Sequence, residues 1–173
     1  MSSANLSVLV GKKTACLRIA GRANFASSPD FRAVLSGLSE KGYKHFVIDL
    51  TDCVLMDSTF LGVLAGFGMK LNPKGAPAEV GIELLNATTR VSELLENLGA
   101  VHLFRLKNGA VEMPDDAKIC EPASINPTHE QITRTSLEAH QTLMAMNPDN
   151  VARFKDVAQF LSEDLKSLEK SAE

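Results

Sequence analysis

The sequence predicts an α/β fold: a mixed, mostly parallel sheet with helices, followed by a C-terminal αα-hairpin. Three observations predict it. Through residues 1–107, short apolar runs of strand length alternate with segments whose apolar residues recur every three or four positions. The first two runs are separated by Gly11-Lys12-Lys13, which makes an antiparallel pair at the start. From Thr128 onward the spacing is helical throughout. The predicted units are an α/β domain over residues 1–107, a linker over 108–127 and a helical hairpin over 128–173.

Each element has its own local reason. Leu6 to Val10 and Ala15 to Ala20 alternate loosely between apolar and polar, and Gly21 ends the second strand. Ser27-Ser28-Pro29-Asp30 opens a helix, with Ser at the cap and Pro at the first helical position. Phe31, Val34, Leu35 and Leu38 follow at helical spacing, and Lys41-Gly42 stops the helix. Phe46 to Leu50 is nearly all apolar, as a strand covered on both faces would be.

The helix from about Ser58 to Leu71 carries Leu61, Leu64, Ala65 and Gly68 on one stripe and ends at Asn72-Pro73. It contains Gly62, Gly66 and Gly68, each costing about 1 kcal/mol relative to Ala. Close approach to the sheet is the expected offset. Val80 to Leu85 is a strand, Asn86 to Thr89 a turn, and Val91 to Leu98 a helix stopped by Gly99. Val101 to Leu106 is the last strand. Strands alternating with helices imply parallel pairing through crossovers.

Residues 108–127 hold Gly109, Pro114, Asp115-Asp116, Pro122 and Pro127 and few apolar residues, hence a linker. Thr128 with Gln131 forms a capping box for the first hairpin helix, which runs to about Met146. Asn147-Pro148-Asp149-Asn150 is the turn. Val151, Phe154, Val157, Leu161, Leu165 and Leu168 make a narrow apolar seam on the second helix. A lone hairpin cannot bury that seam. It must pack on its own domain, on a second copy or on a partner, and packing within the chain is the simplest of these.

Composition excludes several function classes. A net charge of −3 and a pI near 5.8 leave no basic footprint for nucleic acid. Aromatics make up 5% of the chain, with no Trp, so stacking platforms for single strands are not expected. Cys16, Cys53 and Cys120 are odd in number and lack C-x-x-C spacing, which argues against disulfides and zinc. The four histidines are scattered without ligand spacing. No apolar run is long enough to span a bilayer, and no apolar signal region is present at the N-terminus. The expectation is a soluble cytoplasmic protein with no metal, no cofactor and no membrane span.

The most informative stretch is Met56-Asp57-Ser58-Thr59-Phe60-Leu61-Gly62. It lies between a strand and a helix, so its hydroxyls fall in the first turn. Backbone N–H groups there lack intrahelical partners, and the helix dipole favours negative charge. Such a place suits a phosphate. Taken alone, Asp-Ser-Thr is also an ordinary helix cap.

From Gly21 to about Phe104 the chain resembles the STAS family, which includes the anti-sigma factor antagonists. The resemblance rests on Gly21-Arg22-Ala23-Asn24-Phe25 after the second strand, on Pro29 and Leu35 in the first helix, and on Val47-Ile48-Asp49-Leu50 followed by the Asp57-Ser58-Thr59 block. It continues through Leu85-Asn86-Ala87 and Leu98 to Phe104. It implies Ser58 as phosphoacceptor, with Thr59 the second candidate. It implies a partner surface of Asn24, Asp57, Thr59, Phe60 and Asn86, with Asp57 shaping the loop. Phe60 stands where the family usually has Gly, and Arg22 where an acidic residue is common.

The function so implied is that of a bacterial phosphorylation-switched binding module with no catalytic site. The unphosphorylated form would bind an anti-sigma factor with serine kinase activity, and phosphate on Ser58 would release it. A PP2C-type phosphatase would reset the switch. Phosphate adds about −1.5 to −2 charge. A helix N-terminus favours it by roughly 0.3–1 kcal/mol. Asp57 opposes it by about 1 kcal/mol per charge at 4 Å in a water-like medium. These nearly cancel, so the fold should survive while a partner interface should not. The alternative is a scaffold in a sensory assembly, forming homo-oligomers through the hairpin. An enzyme would need converging acid, base and nucleophile residues, and the sequence offers only Asp57, Ser58 and Thr59 there.

Overall fold

A computed structural model describes residues 3–71, 81–110 and 117–172. The predicted opening hairpin is β1 (Asn5–Val10) against β2 (Thr14–Ala23), antiparallel with Val8 opposite Leu17. The chain continues through α1 (Ser28–Glu40), β3 (His45–Asp49), β4 (Cys53–Met56), α2 (Ser58–Leu71), β5 (Gly81–Leu85), α3 (Thr89–Asn97), β6 (Phe104–Lys107) and β7 (Lys118–Cys120). The closing pair is α4 (His129–Met146) and α5 (Asp149–Ser171). The sheet order is β6-β5-β3-β2-β1-β7, with β4 pairing the end of β2. β2, β3, β5 and β6 are mutually parallel, and β4 is parallel to β2. β1 and β7 add the antiparallel edge.

Strand alternation sets the two faces. Ala15, Leu17, Ile19, Phe46, Ile48, Ile82 and Leu84 point into one core with Phe31, Leu35, Leu61, Leu64, Val91, Leu95 and Leu143. Helices α1 to α4 therefore all lie on that side. Cys16, Val47 and Leu85 form a small apolar cluster on the opposite face, with Leu9 against it.

Several elements differ from the sequence reading. β4 was not expected: it is four residues long and pairs only with the last residues of β2. Residues 101–103 form a 3-10 turn, so the last parallel strand begins at Phe104 rather than Val101. The segment read as a linker contains β7, which pairs with β1 through Val8–Val10. Backbone pairing needs no apolar pattern, and Lys118-Ile119-Cys120 is exposed throughout. The expected stop at Asn72-Pro73, the start of the next strand at Val80, and Pro114 with Asp115-Asp116 lie outside the described residues.

The glycines of α2 serve two neighbours instead of the sheet alone. A Cβ at Gly68 would meet Phe104 at 3.3 Å, on the sheet side. A Cβ at Gly62 would lie 2.6 Å from the Ala139 carbonyl oxygen, and one at Gly66 3.6 Å from Thr142. Two of the three therefore face α4. The hairpin packs within its own chain, with α4 across α2 and α1. The Thr128–Gln131 capping box forms with both of its hydrogen bonds. Asn150, wholly buried, donates to the carbonyls of Leu98 and Leu143, tying the hairpin turn to the end of α3.

Candidate functional site

The site is built where β4 gives way to α2. The N–H of Asp57 donates to the Ala23 carbonyl at 2.9 Å, which extends the β2–β4 pairing to the helix start. The Asp57 carboxylate then serves two segments. Its Oδ1 accepts from the N–H of Phe60 at 2.9 Å and so caps α2. Its Oδ2 accepts from the N–H of Phe25 at 2.7 Å and holds the loop after β2. Burial pushes the Asp57 pKa up, and the bonds from Phe60 and Phe25 together with His140 offset part of that rise.

Within the loop, the Ser27 N–H donates to Asn24 Oδ1, and Ser27 Oγ donates to the Asn24 carbonyl at 3.0 Å. Asn24 and Asp57 thus shape one ledge at the carboxyl ends of the parallel strands, where open α/β sheets place their ligands.

Ser58 is the first residue of α2. Its Oγ lies 2.9 Å from Nε2 of His140 on α4. The other ring nitrogen, Nδ1, is 2.7 Å from the Ser136 carbonyl. A carbonyl only accepts, so Nδ1 carries a proton. In the neutral ring Nε2 is then a bare lone pair, and the Ser58 hydroxyl donates to it. His140 is 5% exposed and meets the Phe154 ring edge-on at 5.0 Å.

A family model for the STAS domain matches residues 5–112. The chain belongs to the STAS domain family. Solved structures agree on the fold. An anti-sigma factor antagonist from Mycobacterium paratuberculosis superimposes with a TM-score of 0.50 at 15% identity, covering 60% of this chain and 85% of its own. A candidate anti-sigma factor antagonist from Thermotoga maritima gives 0.52 at 17% identity, covering 59% of this chain and 85% of its own. No curated protein matches the sequence. The STAS match ends before α4, so His140 and the rest of the hairpin lie outside it.

Within this STAS domain the expected site residues divide. Asn24, Asp57 and Ser58 share the ledge. Thr59 is 5% exposed, so its hydroxyl is far less accessible than a surface alcohol. Phe60, expected on the partner surface, is wholly buried and stacks on Phe31 with ring centroids 4.2 Å apart. It sits at the third position of α2, and helical geometry turns that position toward α1 and the core. Asn86 adopts a left-handed backbone (φ 58°) at the end of β5. Its amide is spent on Thr51 Oγ1 and on both the N–H and the carbonyl of Gly109. It braces the sheet end and reaches the Ser58 loop through no hydrogen bond described.

Sequence reasoning missed His140. It shares a helical stripe with Ser136, Leu137 and Leu143, so its inward orientation was readable. Its partner, 82 residues away, was not. Among the described residues, no group of three or more His, Cys, Asp or Glu is placed to hold a metal ion. Likewise no helix there is long and apolar enough to cross a membrane.

Proposed function

We propose that this STAS-domain protein is a cytoplasmic, phosphorylation-switched binding module of the anti-sigma factor antagonist kind. The observation that carries the reading is the placement of Ser58. Its hydroxyl starts α2 beside a ledge fixed by the Asp57 carboxylate, in the motif this family resemblance assigns to a phosphoacceptor. The two superimposable structures named above are described as anti-sigma factor antagonists, which supports the partner class. The partner would be an anti-sigma factor with serine kinase activity, and a PP2C-type phosphatase would reverse the reaction. The kinase would supply ATP. Ser58 Oγ would bond to the γ-phosphorus as the bond to ADP breaks, and the hydroxyl proton would pass to a base of the kinase or to solvent. The chain itself would contribute no catalytic group.

Phosphate at the ledge would act mainly on docking. Burying an unpaired charge costs several kcal/mol, and a loss of about 3 kcal/mol weakens binding more than a hundredfold. The test is phosphate mapping by mass spectrometry on residues 57–60 of protein from its native cells, followed by pull-downs. Ser58→Ala should retain the partner and Ser58→Asp should lose it. Identical partner sets for both variants, with no phosphate found, would end this reading.

The scaffold alternative retains one supporting observation. α5 leaves Val151, Val157 and Phe160 exposed, while Leu165 is spent inside the hairpin. Light scattering of the full chain and of Phe160→Lys separates the readings. An oligomer that falls to monomer in the variant favours the scaffold.

A further inference from the structure

The hairpin meets the domain through few apolar side chains. Its apolar packing is largely internal: Leu137, Ala158 and Leu165 form a cluster of their own, with Met144 and Leu161 against it. Leu143 is its one fully buried apolar residue in the main core, flanked by Met146 and Phe154. The buried face that α4 turns inward otherwise consists of small or polar residues: Thr133, Thr135, Ser136, Ala139 and His140. A cavity of about 110 Å³ remains between α1, α2 and α4, lined by Arg32, Ser36, Val63, Lys70, Glu138 and Thr142 among others. The Arg32–Glu138 ion pair beside it is nearly half exposed at both ends, so it adds little. A poorly sealed, weakly apolar contact of this sort opens more readily than a core.

One of the closest points of that contact is beside Ser58. Gly62 lets α4 approach until a Cβ there would strike the Ala139 backbone. The next residue on α4, His140, takes the Ser58 hydroxyl.

We propose that the α4–α5 hairpin is a displaceable cover over Ser58, latched by the Ser58–His140 hydrogen bond, and that phosphate on Ser58 releases it. This deepens the reading of Ser58 as phosphoacceptor and rests on it. Esterification removes the hydroxyl proton that the Ser58–His140 bond uses, so the latch as it stands in the unmodified chain is lost. It also adds bulk one turn from the close Gly62–Ala139 contact, and like charge next to the Asp57 carboxylate. The modified side chain therefore works against the docked helix. The same geometry works in reverse, because the docked hairpin engages the Ser58 hydroxyl through His140 and an open one leaves it free for a kinase. Phosphorylation then has two outputs: new charge on the ledge, and a freed hairpin together with the groove it leaves along Gly62, Val63 and Gly66 of α2.

The experiment uses the full chain with phosphoserine encoded at position 58, so that no native kinase is required, and reads hydrogen–deuterium exchange. Peptides across α4 and α5 should exchange about tenfold faster or more than in the unmodified chain, while β3 and β5 keep their protection. Gly62→Ala should give the same pattern without added charge, since its Cβ wedges α4 away from α2. Unchanged α4 and α5 in the phosphoserine protein overturns the proposal. So does acceleration that includes β3 and β5, because the hairpin is then not a separable unit. Because partner capture is not part of this readout, a failed pull-down with an opened hairpin sinks the partner reading and leaves the cover standing.

Discussion

Asp57 does with one carboxylate what would otherwise take two residues: it caps α2 and holds the loop after β2. That double duty buries it, and burial raises its pKa above the usual 3.8. For a carboxyl group so shifted, the native state binds the proton more tightly than the unfolded chain. Its contribution to stability therefore falls as pH rises through the window above 3.8. The expected outcome is a carboxyl carbon titration midpoint above that value. Relative to Asp57→Asn, which does not titrate, the native chain should lose stability across the same window in urea unfolding. Phe60 is the residue whose role changed most between sequence and structure. Stacked on Phe31 in the core, it should cost roughly 3–5 kcal/mol when cut to Ala. If Phe60→Ala unfolds like the native chain but loses a partner, its core assignment fails. The thiols follow burial too. Burial, with Asp49 nearby, pushes Cys16 up to about 11, and burial also raises Cys53. Cys120 is exposed. Native-state alkylation should modify Cys120 first and leave the other two until the chain unfolds.

At the scale of elements, the hairpin is where local signals and packing can be separated. The Thr128–Gln131 capping box belongs to α4 alone. Thr128→Ala should therefore cost about 1 kcal/mol, measured by denaturant unfolding. Asn150 is different, since it joins two units through the carbonyls of Leu98 and Leu143. Asn150→Ala leaves both acceptors buried and should cost about 1–3 kcal/mol. It should also raise exchange in α5 before the sheet is affected. The glycines of α2 divide in the same way. Each weakens the helix by about 1 kcal/mol. Gly68 leaves room for Phe104, and Gly62 for the Ala139 backbone. In the sequence the three look alike, because a glycine says that something comes close and not what.

At the scale of the whole molecule, Glu83 on β5 works against Asp57. Burial acts to raise its pKa, but the hydrogen bond and charge of Lys107, with the charges of His45 and Arg105, hold it below the usual 4.5. A carboxylate so depressed supports the fold above 4.5 and loses that support as pH falls through its native value. The sequence by itself determined the order of the helices and of the core strands, the cap at Thr128, and the position of Ser58 at a helix start. These depend on period and on side chains within a turn of one another. It was silent on β4 and β7, which are held by backbone pairing and carry too little apolar pattern to stand out. Only the tertiary structure decided that Phe60 is core and that Asn86 is a brace. Only it brought His140 against Ser58 from 82 residues away. That contact exists because Gly62 and Ala139 let two helices touch, and the closeness of two helices is a property of their packing that neither helix encodes alone.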